Sequence, residues 1–199
     1  MASGLTLTWV VVPSSFPPAA WVASFLLLVA LGAIDDRLHL NAAPKFLVQA
    51  FVTSVAVAAS GVSLGTVGEL APGWVVSLGW LAIPFSAFAV VSVMNAMNMS
   101  DGVDGLAGSL MLIALIALAL AAGAVGRIDL VLLAMVPLAA LAAFLLFNFR
   151  GPSGRPARIF MGDAGSLGLG FLIGIIAIKV ASTEHGGVPP GVEIGRAHV

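Results

Sequence analysis

The chain has 199 residues, of which 60% are hydrophobic and 9% charged, and its formal net charge is −1. A water-soluble domain of this length carries roughly a quarter charged residues on its surface, so a soluble fold is excluded and a lipid bilayer is the natural solvent. Cysteine is absent, which excludes a disulfide framework, a thiolate metal site and a thiol nucleophile.

The first segment, residues 1–18, reads as the N-terminal part of a truncated protein. Met1 to Ala20 carries no basic residue and contains Pro13, Pro17 and Pro18, so no cleaved secretory signal is expected. Residues 19–182 read as one transmembrane domain. A span needs about 20 apolar residues in helical form, and six such stretches follow in order: Ala19 to Ile34, Ala43 to Val62, Val75 to Met97, Leu106 to Val125, Leu130 to Phe147 and Leu167 to Ala181. Gly61, Pro72 and Gly73 punctuate one connection, and Gly123, Gly126, Arg127 and Asp129 another. The fold class expected is therefore all-α, a polytopic integral membrane helix bundle of about six transmembrane helices. Residues 183–199 read as a tail. Its last seven, Glu193 to Val199, look like the translation of a sequencing adapter and are set aside; the expectation is a fragment of a longer gene.

Counting spans puts the Asp35–Lys45, Asn98–Gly105 and Arg150–Gly162 connections on the same side. That side carries Arg37, Lys45, Arg150, Arg155 and Arg158, whereas the opposite loops carry only Arg127 before the tail, so the positive-inside tendency makes the first side cytoplasmic. It also receives Asp35, Asp36, Asp101, Asp104 and Asp163, five of the nine acidic residues. An inner leaflet favours basic residues beside a span, so gathered carboxylates suggest a cation and a phosphorylated ligand.

Three constellations carry this chemistry. Asp35-Asp36-Arg37, with Lys45 following, sets two like charges side by side, which a divalent ion or Lys45 would compensate; a helix end with snorkelling charges is the plainer reading. Asn95, Asn98, Asp101 and Asp104 recur every third residue, near one face of any helical continuation, and supply the oxygen ligands Mg²⁺ requires. Gly102 and Gly105 between them let the backbone turn, and Asp104 alone could simply cap the next helix. The third, Arg158 to Leu167, offers backbone amides at a helix start as an anion site. Asp163 there either caps the helix or holds a metal, and Phe160 could stack on a base. Carboxylates, glycines, amides and cations on one face are what phosphoryl transfer uses, because positioning and charge neutralisation do most of its work.

The segments DDRLHLNAAPKFLVQ, NAMNMSDGVDGLAG and RIFMGDAGSLGLGF resemble, in order and spacing, those of the polyprenyl-phosphate N-acetylhexosamine-1-phosphate transferases, over about Ala19 to Ala181. The resemblance implies transfer of N-acetylglucosamine 1-phosphate, or a related N-acetylhexosamine 1-phosphate, from a UDP-sugar to undecaprenyl phosphate with release of UMP. It further implies that Asp35 and Asp36 act on the polyprenyl phosphate, that Lys45 contacts phosphate, and that Asn98 and Asp163 bind Mg²⁺, for which Mn²⁺ could substitute. Asp101 would sit close to that ion, Asp104 would hydrogen-bond uracil, Phe160 would stack on it and Asn148 would be another uridine contact. The implied partners are the polyprenyl phosphate, the UDP-sugar and membrane lipids, with no nucleic acid; a homodimer fits the family. The related phospho-N-acetylmuramoyl-pentapeptide transferases are the alternative within the family. Outside it, an ion-coupled transporter or lipid-binding module would place acids in mid-span, and a structural subunit would leave the Asn and Asp spacing unexplained.

Overall fold

The computed structural model describes residues 19–71, 74–149 and 157–184. The expectations for residues 1–18, for Arg150 and Arg155, and for the tail from 185 onward fall outside the described residues. Among the described residues, six helices are long and apolar enough to cross a membrane: α1 Ala19–Leu38, α2 Ala42–Ser60, α3 Ala82–Ser100, α4 Leu106–Ala124, α5 Ile128–Asn148 and α6 Gly162–Glu184. The protein is an integral membrane helix bundle, as its apolar runs require. Ala, Leu and other good helix formers fill these runs. Pro44 and Pro84 sit in first turns, where a missing N–H costs nothing.

Three boundaries differ from the sequence expectation: α1 runs past Ile34 to Leu38, so Asp35 and Asp36 lie in its last turns rather than in a loop, and the third and sixth spans start elsewhere. The run from Val75 does not open the third span: strand β1, Thr66–Ala71, pairs antiparallel with β2, Trp74–Ser77, and a 3-10 turn at Gly79–Leu81 leads into α3. An apolar run carries no periodicity to separate strand from helix, and here β-branched Val75 and Val76 beside the Pro72-Gly73 turn signal decide for a hairpin. The sixth helix starts five residues earlier than Leu167, so Gly162 and Asp163 belong to its first turn.

Successive helices alternate in direction. The ends of α1, α3 and α5 and the starts of α2, α4 and α6 therefore share one end of the bundle, and the hairpin lies at the other. Helix α6 is the axis: 72% of its span is buried, against 28–33% for the other five. It packs on α1, α3, α4 and α5, while α4 and α5 form an antiparallel pair.

Close approach explains the glycines of α6 and α1. A Cβ at Gly170 would sit 2.6 Å from Cα of Met94 on α3, and one at Gly32 on α1 would collide with the backbone of Asp163 and Ala164. Without a hydrophobic drive between helices in lipid, such backbone contact supplies the packing. It also sets the site: Asp35 and Asp36 follow Gly32 by three and four residues, one turn on along the same face, and so arrive at the start of α6.

Gly32→Ala is expected to destabilise the bundle by roughly 1–3 kcal/mol through overpacking against a backbone that cannot yield. Gly61→Ala at the end of α2, where a Cβ meets nothing within 4 Å but φ is 62°, should cost about 1 kcal/mol from strain alone. Thermal unfolding in detergent ranks the two.

Candidate active site

The start of α6 would leave the amides of Gly162, Asp163 and Ala164 without helical partners. Two carboxylates from other elements take them. Asp36 accepts from the amide of Asp163 through Oδ1 at 2.8 Å and from that of Ala164 through Oδ2 at 3.3 Å. Asp101, just beyond α3, accepts from the amide of Gly162 through Oδ2 at 2.9 Å. Negative charge at a helix N-terminus is favoured by the macrodipole. Gly162 is required here because its φ is 68° and a Cβ would lie 2.7 Å from Oδ2 of Asp36.

Asp163 is thereby relieved of capping, and its side chain points to its neighbours. Its Oδ2 accepts from Nζ of Lys45 at 2.7 Å and its Oδ1 from Nδ2 of Asn98 at 2.6 Å. Lys45 also reaches Oδ2 of Asp35 at 2.5 Å. Asn98 in turn donates to the Ser166 hydroxyl at 2.9 Å. Asp35 is 7% exposed and its Oδ1 accepts from the amide of Leu40 at 2.7 Å. His39, with φ 49°, makes that bond by turning the chain back after α1. One ammonium thus lies between carboxylates that come from α1 and α6, with an amide from α3 alongside.

A cavity of about 660 Å³ opens onto this cluster, lined by Asp35, Asp36, His39, Leu40, Lys45, Asn98, Phe160, Met161, Gly162 and Asp163. Six of the nine residues singled out in the sequence therefore face one space. Phe160, 68% exposed, stands at its rim. Asp101, Asp104 and Asn148 do not line it. Asn148 is buried, with Oδ1 accepting from the amide of Gly105 at 2.9 Å and Nδ2 donating to the carbonyl of Ile159 at 2.8 Å, so it ties the α3–α4 loop to the segment before α6. Asp104 accepts from the amide of Ala157 at 3.3 Å and joins the same two loops; the cap position of α4 falls to Gly105.

Ser166, His39 and Leu40 lie within the sequence constellations but are given no role there. Ser166 lies three residues after Asp163, a helical spacing that becomes informative once α6 is known to start at Gly162. The two others enter through a backbone turn, for which a histidine gives little signal.

The site has the donor chemistry of a hard divalent cation. Carboxylate oxygens of Asp35 and Asp163 already converge on one positive charge, and a half-turn of the Asn98 amide would present a third oxygen. Among the described residues no group of three or more His, Cys, Asp or Glu side chains forms a cage. Mg²⁺ needs none, since it takes one or two carboxylates and completes its shell with water and phosphate.

The family described as Glycosyl transferase family 4 matches residues 18–181. The chain is also 36% identical, over 160 residues, to the probable undecaprenyl-phosphate N-acetylglucosaminyl 1-phosphate transferase of Bacillus subtilis (strain 168). That match covers 80% of this chain and 43% of the relative, so the chain spans less than half the length of the curated protein it matches.

Burial, chiefly, and the nearby Asp163 and Asp36 charges push the Asp101 carboxyl up to about 6, although the Gly162 amide opposes them. A carboxyl raised on folding contributes stability while protonated, fully below about pH 4, and loses it as pH rises through about 6. Asp101→Asn keeps an oxygen for the Gly162 amide and removes the buried charge. It should raise stability at pH 7.5 by up to about 3 kcal/mol and give no advantage at pH 4, read as the difference in unfolding midpoint from the parent.

Proposed function

From the premise that this chain belongs to glycosyl transferase family 4, we propose that it carries the phosphate-handling part of an enzyme that transfers N-acetylglucosamine 1-phosphate from its UDP-sugar to undecaprenyl phosphate, releasing UMP. A related N-acetylhexosamine 1-phosphate is the alternative cargo. The carrying observation is the Asp35–Lys45–Asp163–Asn98 cluster at the mouth of a cavity, at the end of the bundle where a lipid phosphate would lie.

In this reading the lipid phosphate oxygen attacks the β-phosphorus of the UDP-sugar. A new P–O bond forms to the lipid, and the bond to the α-phosphate oxygen breaks and releases UMP. A polyprenyl phosphate is largely ionised near neutral pH, so orientation and charge neutralisation matter more than a strong base. Asp35 orients that phosphate and accepts its proton when one is present, and Asp36 keeps the start of α6 in place beside it. Lys45 exchanges its carboxylate partners for phosphate oxygens. Phe160 offers its ring to the uracil, with Asp104 as an acceptor for the uracil N–H and Asn148 bracing the loops that carry both. Asp101 holds the Gly162 amide and with it the approach to Asp163.

Mg²⁺, or Mn²⁺ in its place, would be held by Asp163 and Asn98, and when bound supplies neutralisation of the pyrophosphate charge. The cluster faces the cytoplasm of the cell membrane in this reading, which Arg37, Lys45 and Arg158 on that end support.

The test is UMP release and formation of lipid-linked sugar by membranes carrying the full-length gene product, supplied with UDP-N-acetylglucosamine and undecaprenyl phosphate. Chelation should abolish product and added Mg²⁺ restore it. Asp163→Asn should lower turnover by about 10²–10³-fold, the usual cost of removing one electrostatic group at a reacting centre. Product only with UDP-N-acetylmuramoyl-pentapeptide would transfer the chain to the peptidoglycan reaction; no product with any UDP-sugar would overturn the reading.

A further inference from the structure

Lys45 and Gln49 stand one turn apart on one face of α2, as Asn95 and Asn98 do on α3. The upper member of each pair reaches Asp163. The lower members reach each other: Nδ2 of Asn95 donates to Oε1 of Gln49 at 2.7 Å, and also to the carbonyl of Val91 at 2.8 Å. Thr53, a turn deeper on α2, and Met94, beside Asn95 on α3, are fully buried and in contact. The Gln49–Asn95 bond is therefore a rung between the phosphate-handling cluster and the apolar core, and neither residue lines the cavity.

The rung is costly. Gln49 is fully buried, and its Nε2 has no hydrogen-bond partner among the described residues. A buried donor left without a partner destabilises a fold, and in lipid an apolar side chain of the same size would pack there at no such cost. A polar pair retained against that gradient marks a place where geometry matters more than stability.

We propose that Gln49 and Asn95 are positioning residues, fixing the rotation and height of α2 against α3 so that Lys45 and Asn98 converge on Asp163. Amide-to-amide bonding is directional, whereas apolar contact lets helices slide and rotate. A displacement of about 1 Å at a reacting centre costs about 10²-fold in rate. The functional part of this inference rests on the proposed phosphate-handling role of that cluster.

The experiment compares the full-length protein with Gln49→Leu, Asn95→Leu and the exchange Gln49→Asn with Asn95→Gln. Three quantities are read: thermal midpoint, turnover with KM for the UDP-sugar, and acetylation of Lys45 by an amine-reactive ester, followed by peptide mass spectrometry with Lys179 as reference. Each leucine variant should show turnover reduced at least tenfold with KM within twofold, and Lys45 acetylated several-fold faster once its carboxylates are out of register. The midpoint should equal or exceed the parent's in Gln49→Leu, which removes the unpartnered donor, and fall in Asn95→Leu, which leaves buried Gln49 without its partner. The exchange should return turnover and labelling towards parent values. Parent-like turnover and labelling in Gln49→Leu, or no recovery in the exchange, would overturn the proposal. If the parent transfers no sugar phosphate, the function above fails, whereas the labelling comparison still decides whether the rung positions Lys45.

Discussion

Three backbone amides at the start of α6 have no acceptor in their own helix and need one from a side chain, water or a ligand. Asp36 and Asp101 supply the acceptors, which fastens the end of α1 and the end of α3 to one point. The bare backbone of Gly32 permits the contact by letting α1 lie against Asp163 and Ala164. Once the amides are taken from outside, Asp163 is free to turn towards Lys45 and Asn98. The cavity and its charged lining follow from that single arrangement.

Its electrostatics are lopsided. Asp35, Asp36 and Asp163 line one cavity with Lys45, so the cluster holds more negative than positive charge. A phosphorylated ligand meets repulsion there unless countercharge enters with it, which gives the proposed divalent cation a physical reason beyond family likeness. The site trades stability for the same end: Asp101 is held in a setting that disfavours its own ionisation, the kind of cost that recurs where function sets the geometry.

The sequence made the six spans legible, because length and hydropathy are enough when lipid is the solvent. It also made the convergence of three loops legible, since an even number of crossings returns the chain to the same side. It could not assign tasks within a motif. Asn95 and Asn98 share one spacing, yet one bonds to Gln49 and the other to Asp163 and Ser166; only the neighbouring helix decides which. Capping was similarly hidden, because Asp36 lies 127 residues from the amide it accepts. The hairpin was masked by an apolar run without period. The axial place of α6 had its trace in Gly165, Gly168, Gly170 and Gly174, small residues along a helix that is otherwise apolar, but glycine alone does not say which helix comes close.

Synthesis is vectorial, and the axial helix follows the other five along the chain. Chains grow at about 5–20 residues per second, so the ribosome spends seconds between completing α1 and delivering α6. Through that interval Asp35, Lys45 and Asn98 have no Asp163 to meet, and the inner faces of α1, α3, α4 and α5 have no common partner. The earlier helices therefore enter the membrane before the helix against which four of them pack. The ionic cluster closes only when α6 arrives, after the five helices that precede it among the described residues.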